Sequence, residues 1–318
     1  MDEKIRSHKL DIKPKDANRR LDKFLFAYLN NAPHSFIYKM LRKKRIKLNS
    51  SRAMGNELLK QGDEVQFFLA SETIENFRKP QTFPKAKPLS NIIFEDEHLL
   101  IVDKPCGLPS QGGMRTKDHL LAQILFYLQE SGAYDKNATF TPAICNRLDV
   151  NTSGLVICGK TLHALQEINS LFANREIHKE YLAIVHGKIG KVGEKHTLEG
   201  EYKKNPKTNT AIILPKSNEN NVITSFSVLE ASEKFSLLSV SPITGRSHQI
   251  RAHLASIGHP LVGDKKYGGS VINSISTQLL HCAKLEITTK TALPYKIGTS
   301  WEAPPPKIIA ACIQEWFL

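Results

Sequence analysis

The sequence predicts an α+β protein, in which a small N-terminal α/β domain precedes a larger domain built on a mixed, mainly antiparallel β-sheet with flanking helices. Three observations predict this class. After residue 91, apolar runs of strand length outnumber helical patterns, and no G-x-G-x-x-G or phosphate-loop motif opens a doubly wound sheet. A proline-rich stretch separates that region from the N-terminal part. The length of 318 residues is sufficient for two domains.

Composition sets the domain boundaries that we expect along the chain. Residues 1–17 are polar and lack periodicity, which indicates an N-terminal arm. Residues 18–75 form the first domain, and residues 91–318 form the second. Between them, residues 76–90 contain three prolines among lysines, and such spacing disfavours both helix and sheet. We therefore interpret residues 76–90 as a linker.

The first domain begins with two short helices and continues as strands. Apolar residues within 21–29 recur at three- and four-residue spacing, which is one face of a helix. Ser35 is a suitable cap for a second helix that ends in a basic run. Ile46 and Leu48 alternate with basic residues, as in a strand with one solvated face, and Val65 begins a similar alternation.

Most of the excess positive charge lies in this first part of the chain. Residues 1–90 carry 20 lysines and arginines against 10 acids, and so hold +10 of the net charge of +13. No acid occurs between Lys23 and Asn56. The alternatives to nucleic-acid binding are a solvated basic face without a ligand and, because the apolar face is weak, a less well supported membrane surface. We expect nucleic-acid contacts from the basic segment, defined as Arg42, Lys43, Lys44, Arg45 and Lys47.

In the second domain, apolar runs and helical spacing predict the elements in order. Two strands, at residues 92–94 and 99–102, flank a charged turn and are typical of a hairpin. Helices are predicted at residues 117–130 and 162–172, and further strands at residues 155–158, 179–185, 212–214, 224–229 and 235–240.

The stretch from Asn146 to Ile157 places a carboxylate, Asp149, on a short polar turn just before an apolar run. Such a turn is a suitable place for a reactive group, because the buried strand fixes the turn and the turn presents the side chain to a cleft. The alternative is that Asp149 only caps the turn through backbone hydrogen bonds. The local pattern by itself favours the cap.

A second polar stretch, from Thr244 to Pro260, turns at a glycine and continues as a helix. We expect the apolar residues Ile250, Leu254 and Ile257 to face inward from this helix.

Two arginines and two histidines of this second stretch each lie five residues apart. A metal site on a helix would need histidines four residues apart with a carboxylate, so His248 and His253 do not predict one. We interpret Arg246 as a phosphate contact. The Arg251 guanidinium forms a fork that matches a carboxylate bidentately, and Asp149 is its expected partner.

Composition bears on location and on redox chemistry. No apolar run is long enough to span a membrane, and the N-terminus lacks the apolar core of a signal peptide, so we expect a cytoplasmic protein without membrane contact. The five cysteines form no C-x-x-C pair, which favours reduced, mostly buried thiols over zinc ligands. Spacing leaves a catalytic cysteine open as a less favoured alternative.

Three ordered blocks resemble the RluA-type RNA pseudouridine synthases: Lys104 to Gly107, Asn146 to Leu155, and Thr244 to His259. Further matches are Lys179-Glu180-Tyr181, Val262-Gly263-Asp264, Tyr267-Gly268 and Leu280 to Ala283, so that the resemblance covers nearly all of residues 91–300. Residues 18–75 resemble the alpha-L RNA-binding domain through Arg20-Leu21-Asp22, Arg42 to Asn49 and Gly62-Asp63. With this domain in front, the arrangement is similar to the RluC- and RluD-like members, which act on large-subunit ribosomal RNA.

The resemblance implies an activity and several residue roles. The activity is the isomerisation of uridine to pseudouridine in RNA, with large-subunit ribosomal RNA favoured. Asp149 would be the catalytic aspartate, Tyr181 would stack on the flipped-out base, and Arg251 would pair with Asp149. Arg147 would fill the space that the base leaves.

Three more residues within the matching blocks, Lys104, Arg246 and His248, are assigned to RNA contacts. Neither a metal nor a cofactor is implied, because one carboxylate suffices as nucleophile or base at the sugar. We expect a monomer.

The sequence departs from both families at a few positions. Asn146 stands where RluA-type members usually have histidine, and Val150 and Asn151 stand where they usually have a charged pair. In the N-terminal part, Lys44 and Ser50 stand where the alpha-L family often has glycine.

Three other functions stay open. Transfer RNA is an alternative substrate, and an inactive RNA-binding factor of ribosome assembly is an alternative function, against which the retained Asp149, Tyr181 and Arg251 argue. A phosphatase of the D-x-D-x-T type would use Asp149 as its nucleophile. That signature needs a second acid, which is missing, and an apolar strand, which residues 143–147 represent poorly.

Overall fold

The computed structural model describes residues 8–112, 118–217 and 219–318. It divides into two compact units, which are described separately. The first contains Met1–Ala86, Ile124–Pro142 and Lys160–His163, and the second contains Lys87–Gln123, Ala143–Gly159 and Ala164–Leu318. Residues 1–7 of the expected arm, and Lys117 at the start of an expected helix, lie outside the described residues.

A four-stranded antiparallel sheet and short helices form the first unit. The strands, in the order β1-β4-β2-β3, are β1 (His8–Asp11), β2 (Ile46–Leu48), β3 (Ser51–Arg52) and β4 (Glu64–Phe67). The helices are a 3-10 turn (Pro14–Asp16), α1 (Leu21–Tyr28), α2 (His34–Arg42) and α3 (Ser71–Phe77). Helix α4 (Leu120–Glu130) belongs to this unit from Ile124 onward.

The two predicted helices of the first unit are confirmed, with Leu21, Leu25, Ile37 and Leu41 buried in its core. Ser35 is not the cap of the second helix, because that helix already begins at His34. Strand β1 was not predicted, because its residues lie in the polar stretch that was expected to form an arm. Only Leu10 of β1 is partly buried, so the strand leaves no alternating apolar pattern in the sequence. Its partner β4 supplies the buried side of the pair.

The proline-rich stretch contains no helix or strand from residue 78 to residue 91. It is nevertheless held within the first unit, because the Gln81 amide donates to Lys136 O at 2.8 Å and the Phe83 amide donates to Gln129 Oε1 at 2.8 Å. Part of the expected linker is therefore a packed surface segment of the first unit, and not a free spacer.

The basic segment ends α2 and enters β2. Its residues 42–45 are exposed, and Lys47 is half-buried with Nζ 5.1 Å from the centre of the Phe68 ring. Lys44 and Ser50 have φ angles of 57° and 64°, in the left-handed region that glycine adopts with least strain. At these two turns, where the alpha-L family often has glycine, this chain therefore adopts the left-handed conformation with a lysine and a serine.

One large mixed sheet forms the second unit. Its strands are β5 (Ile92–Glu95), β6 (Leu99–Lys104), β7 (Ala143–Ile144), β8 (Ser153–Gly159), β9 (Ile177–His186), β10 (Lys195–Asn205), β11 (Thr210–Leu214), β12 (Asn221–Ala231), β13 (Phe235–Pro242), β14 (Leu280–Ile287) and β15 (Ser300–Glu302). Its helices are α5 (Leu162–Ala173), α6 (Gln249–Ser256), a 3-10 turn (Lys265–Tyr267) and α7 (Lys307–Trp316).

The strand order is β11-β10-β12-β13-β9-β14-β8-β6-β5, with β15 beside β14 and β7 beside β8. Among the strands that the structure describes, all pairs are antiparallel except β8 with β14. The predicted α+β class, with a mainly antiparallel sheet and flanking helices, is confirmed. The β5–β6 hairpin and the predicted strands in β8, β9, β11, β12 and β13 are also confirmed.

Helix α6 differs from its prediction at one position. Ile250 and Leu254 are buried, as expected, but Ile257 is 39% exposed. The helix ends at Ser256, and Gly258 has a φ angle of 81°, so the chain leaves the helical path before Ile257 reaches the core. Strand β10 and helix α7 were not predicted at all.

Gly154 holds the parallel pair together at the centre of the sheet. Its φ angle is 115°, and a Cβ at this position would collide with the backbone of Cys282 in β14. Only glycine permits this close approach, and it brings the turn before β8 beside β14. Within the described ranges, no helix is long and apolar enough to cross a membrane.

Candidate active site

Asp149 lies on a turn that is fixed from several sides. Its carbonyl accepts a hydrogen bond from the Thr152 amide at 3.0 Å, and the Ser110 hydroxyl bonds to both backbone polar groups of Leu148, at 2.8 Å and 3.0 Å. Ser110 and Thr152 are buried, whereas Asp149 is half-buried and lines a cavity. The Asp149 carboxylate bonds to Arg251 and not to the amides of its own turn, so the capping interpretation is not supported.

Asn146 anchors the same turn to β8. Its side-chain amide donates to Leu155 O at 3.0 Å, and its side-chain oxygen accepts from the Ile157 amide at 2.9 Å. The residue that departs from the usual family histidine therefore bonds to the backbone of the adjacent strand. This role is structural and requires no contact with a ligand.

Lys104 is not placed to contact RNA, contrary to the prediction. Its side chain is 0% exposed, and Nζ donates to the carbonyls of Pro105, Leu108 and Val150 at 2.9, 2.8 and 3.0 Å. An ammonium group has three protons, and all three are used. Lys104 therefore ties the turn after β6 to the residue that follows Asp149.

Arg251, on α6, joins two carboxylates. Its Nε and one terminal nitrogen donate to the two oxygens of Asp264, both at 2.7 Å, and the other terminal nitrogen donates to Asp149 Oδ2 at 2.9 Å. The expected pair with Asp149 is present, but the bidentate partner is Asp264. Burial lowers the pKa of Arg251, and the hydrogen bonds and charges of Asp264 and Asp149 more than reverse this, so the guanidinium stays charged.

His248 and Tyr267 flank the same carboxylate. His248, in a left-handed conformation just before α6, places Nε2 3.6 Å from Asp149 Oδ2 and Nδ1 2.9 Å from the Tyr267 hydroxyl. That hydroxyl accepts from the Ala211 amide at 2.7 Å, so its own proton is available to Nδ1. Burial lowers the pKa of His248, which favours a neutral ring with its proton on Nε2, toward Asp149.

Gln249, the first residue of α6, fixes the loop before it. Its side-chain oxygen accepts from the Thr244 hydroxyl at 2.8 Å and from the Arg246 amide at 3.1 Å, and its nitrogen donates to Ile223 O and the Thr224 hydroxyl, both at 2.9 Å. His253, one turn further along, bonds to the same Thr224 hydroxyl at 2.7 Å and is buried. It is a core residue and does not face the carboxylates.

Tyr181 lies on β9, where it pairs with Val240 of β13 and Cys282 of β14. Its half-buried ring packs against the apolar cluster that includes Ile250 and Leu254 of α6. Burial raises the pKa of its phenol well above the ordinary value, so the hydroxyl remains protonated. The side chain therefore offers a neutral aromatic face at the cavity wall.

A cavity of about 1280 Å³ collects most of the predicted residues of this unit: Asp149, Tyr181, Arg251, Arg147, Arg246 and His248. Arg147 and Arg246 are exposed at its wall. This volume exceeds that of a typical small-ligand pocket. Lys104 is not part of the lining, and the basic segment belongs to the other unit.

Several residues that line this cavity were not predicted as site residues. Asp264 stands only within a matching block, and Lys179 and Arg175 have no predicted role. Tyr267, which bonds to the cavity residue His248, was likewise not predicted. The available signal for Asp264 was an acid between a glycine and two lysines. That pattern could not identify Arg251 as its partner.

Comparison with known proteins places the chain in a family. The sequence profile described as RNA pseudouridylate synthase matches residues 98–256. Ribosomal large subunit pseudouridine synthase C of Vibrio vulnificus is 30% identical over 94% of this chain and 95% of its own length. An uncharacterized RNA pseudouridine synthase of Mycoplasma genitalium is 31% identical over 91% of this chain and 92% of its own.

A solved structure shares the fold. Human RNA pseudouridylate synthase domain containing 1 has a TM-score of 0.54 and 23% identity, over 74% of this chain and 91% of that chain. The identities and coverage of the curated relatives exceed what a shared fold alone would produce. This chain therefore belongs to the RNA pseudouridylate synthase family, in its RluA-type, RluC-like branch, and is an RNA pseudouridine synthase.

Proposed function

We propose that this protein converts specific uridines of large-subunit ribosomal RNA into pseudouridine, with Asp149 as the catalytic carboxylate. The observation that carries the proposal is the position of Asp149, held at Oδ2 by Arg251 in a cavity rich in cations. The names of the relatives, ribosomal large subunit pseudouridine synthase C, support the RNA class.

The reaction breaks the bond between C1′ of the ribose and N1 of uracil and forms a bond between C1′ and C5. The proton on C5 is lost, and N1 gains one, so neither an oxidant nor a reductant is needed. A carboxylate serves as nucleophile at C1′ or as base at the sugar. Because Arg251 and His248 both approach Oδ2, Oδ1 is the oxygen that we assign to the reaction.

Tyr181 and Arg147 have complementary roles in this proposal. A uridine inside a helix is out of reach and must leave its stack, which costs a few kcal/mol. The neutral ring of Tyr181 offsets part of that cost, since stacking contributes about 1–3 kcal/mol per base. Arg147, exposed beside Asp149, occupies the space that the base leaves.

The proposal extends to the organisation of the chain. Residues 18–75 are the RNA-binding domain, residues 91–318 are the catalytic domain, and the protein acts as a monomer in the cytoplasm. The exposed, locally unneutralised residues 42–45 support the first assignment.

Asp149→Asn tests the proposal, because it removes the carboxylate and leaves the size of the side chain almost unchanged. We expect loss of isomerisation by at least a thousandfold with RNA affinity within about threefold of the wild type. The readout is tritium released to water from RNA that carries [5-³H]uridine, together with a pseudouridine map of RNA from a strain with only this variant. Asp135→Asn, on an exposed loop, is the matched control.

Ordinary pseudouridine levels in the Asp149→Asn strain would refute the assignment of Asp149. Pseudouridine lost from transfer RNA, with ribosomal RNA unaffected, would move the substrate to transfer RNA. A strain without the gene that keeps every pseudouridine would favour an inactive assembly factor.

A further inference from the structure

Lys179 is a cation in the wall of the cavity. It lies on β9 two residues before Tyr181, so the two side chains project from the same face of the strand. It is half-buried and lines the cavity. Across residues 8–112, 118–217 and 219–318, the structure gives its ammonium group neither an ion pair nor a hydrogen bond.

The acids nearest to Lys179 in the sheet have other partners. Glu180 points to the opposite face, where it accepts from the Ser239 hydroxyl at 2.8 Å. Glu286, on the neighbouring strand β14, pairs with Lys284 at 3.0 Å. Burial lowers the pKa of Lys179; Cys282 opposes this shift, and the charge of Arg175 adds to it. The cation is thus disfavoured as it stands, and an anion beside it would be stabilised.

Two arginines lie close to this lysine. Lys179 Nζ is 3.7 Å from the position that a Cβ of residue 245 would occupy, which places it against the loop that carries Arg246. Arg175, in the turn before β9, is exposed and lines the same cavity. We call Arg175, Lys179 and Arg246 the cation cluster.

The lining of the cavity is positively charged, as the cation cluster is. Its described lining contains eight lysines and arginines but only two acids, Asp149 and Asp264. Both acids already bond to Arg251. The cation cluster therefore has no carboxylate of the cavity wall available to neutralise it.

We infer that the cation cluster binds a phosphate of the RNA chain next to the uridine that is isomerised, with Lys179 as its half-buried member. This inference rests on the proposed function. The alternative ligand is the detached uracil, which carries negative charge only between bond breakage and bond formation. Three cations match the permanent charge of a phosphodiester better than a transient one.

Lys179→Met tests the inference, because methionine keeps the length of the side chain and removes its charge. Binding of an unmodified large-subunit rRNA transcript is measured from about 0.05 to 0.3 M KCl, and the single-turnover rate is measured at saturating RNA. We expect about tenfold weaker binding and a saturated rate within about threefold of the wild type. The salt slope, which is the steepness with which the logarithm of the binding constant falls with the logarithm of the salt concentration, should be smaller by about 0.7–0.9. Lys179→Arg restores affinity and slope.

Arg175→Met is an independent variant of the cluster, and it should reduce the salt slope by a similar amount even where Lys179→Met folds poorly. Lys234→Met, an exposed lysine in the β12–β13 turn, is the control and should change neither affinity nor rate. A salt slope unchanged in both cluster variants would overturn the inference. A large loss of saturated rate with unchanged affinity would also overturn it, and would place Lys179 on the uracil.

The outcomes separate this inference from the proposed function. If the wild-type protein binds the transcript but releases no tritium from it or from other RNA, the proposed function fails, while the salt slopes still report on the phosphate contact. If the wild type is active and the slopes do not change, only the inference fails.

Discussion

The basic segment of the first unit and the site around Arg251 in the second unit both contain cationic side chains, which are exposed in the first case and buried against carboxylates in the second. Residues 42–45 are exposed, and the structure describes no carboxylate bonded to them. Arg251 is 6% exposed, and its guanidinium bonds to Asp264 and Asp149. The exposed basic residues can bind a polyanion, whereas Arg251 uses its hydrogen-bond donors on carboxylates of the protein.

We therefore expect the exposed cations to affect RNA affinity, and the buried ion pairs to affect the orientation of the Asp149 carboxylate. Exposed cations attract phosphates through the release of counterions, so their contribution falls as salt is added. A buried ion pair gains little net stability, but it fixes the orientation of a carboxylate, because its geometry is bidentate and shielded from water. Substitutions in the two regions should therefore affect different measured quantities.

After Asp149→Asn, Asp264→Asn should have the largest effect on the reaction. The amide keeps the shape of the side chain but replaces one acceptor oxygen with an NH₂ group and removes the negative charge. Arg251 therefore loses one of its two hydrogen bonds to residue 264, and its bond to Asp149 becomes less well fixed. We expect the saturated rate to fall at least a hundredfold, while RNA affinity stays within about threefold. Single-turnover tritium release and RNA titration measure the two quantities.

Glu233→Gln, an exposed acid in the same unit, serves as the control for Asp264→Asn. A full rate in Asp264→Asn would mean that Arg251 holds Asp149 without help. Lost affinity at a full rate would instead assign Arg251 and its two carboxylate partners to RNA binding.

The sequence was sufficient for much of the fold and for the centre of the site. Strands such as β6 and β8 are continuous apolar runs, and the spacing of Leu21 and Leu25 defines α1, so pattern alone locates them. The pair of Asp149 with Arg251 was also expected. Strand β1 was missed because its pairing with β4, and not its own composition, makes it a strand.

Two errors in the site have one physical origin. A charged residue in a sequence suggests solvent or a ligand, but its actual partners depend on the backbone around it. Lys104 is satisfied by three carbonyls, and the fork of Arg251 is satisfied by Asp264. Both arrangements depend on turns whose geometry no residue pattern specifies.

The triple substitution Arg42→Ala, Lys43→Ala and Arg45→Ala should have the next largest effect, and it should act on affinity. Removing three phosphate contacts should reduce the salt slope by about 2–3 and weaken binding at 0.1 M salt by about tenfold or more. The saturated rate should stay within about twofold. The measurement is the same RNA titration over a range of KCl concentrations.

Lys188→Met, Lys216→Met and Lys234→Met together form the matched control, since these exposed lysines lie in the second unit. An equal change of slope in that control would show that net charge matters and that the basic segment has no special role.

Lys104→Met should have the smallest effect on RNA binding, although Lys104 was predicted to contact RNA. Its Nζ donates to three backbone carbonyls, and methionine would leave these acceptors without a donor in a buried site. We expect a loss of about 2 kcal/mol in the free energy of unfolding, measured by urea titration, with an unchanged salt slope for RNA binding.

The buried position of Lys104 also has a pH signature. Burial lowers its pKa to about 8, so in the pH range between 8 and its ordinary value of 10.5 the unfolded chain binds more protons than the folded one. This group therefore makes stability rise with pH through that window, and Lys104→Met should remove the rise. A salt slope reduced by nearly one in this variant would contradict the structural role and restore Lys104 to the RNA contacts, because only a residue that reaches a phosphate releases a counterion.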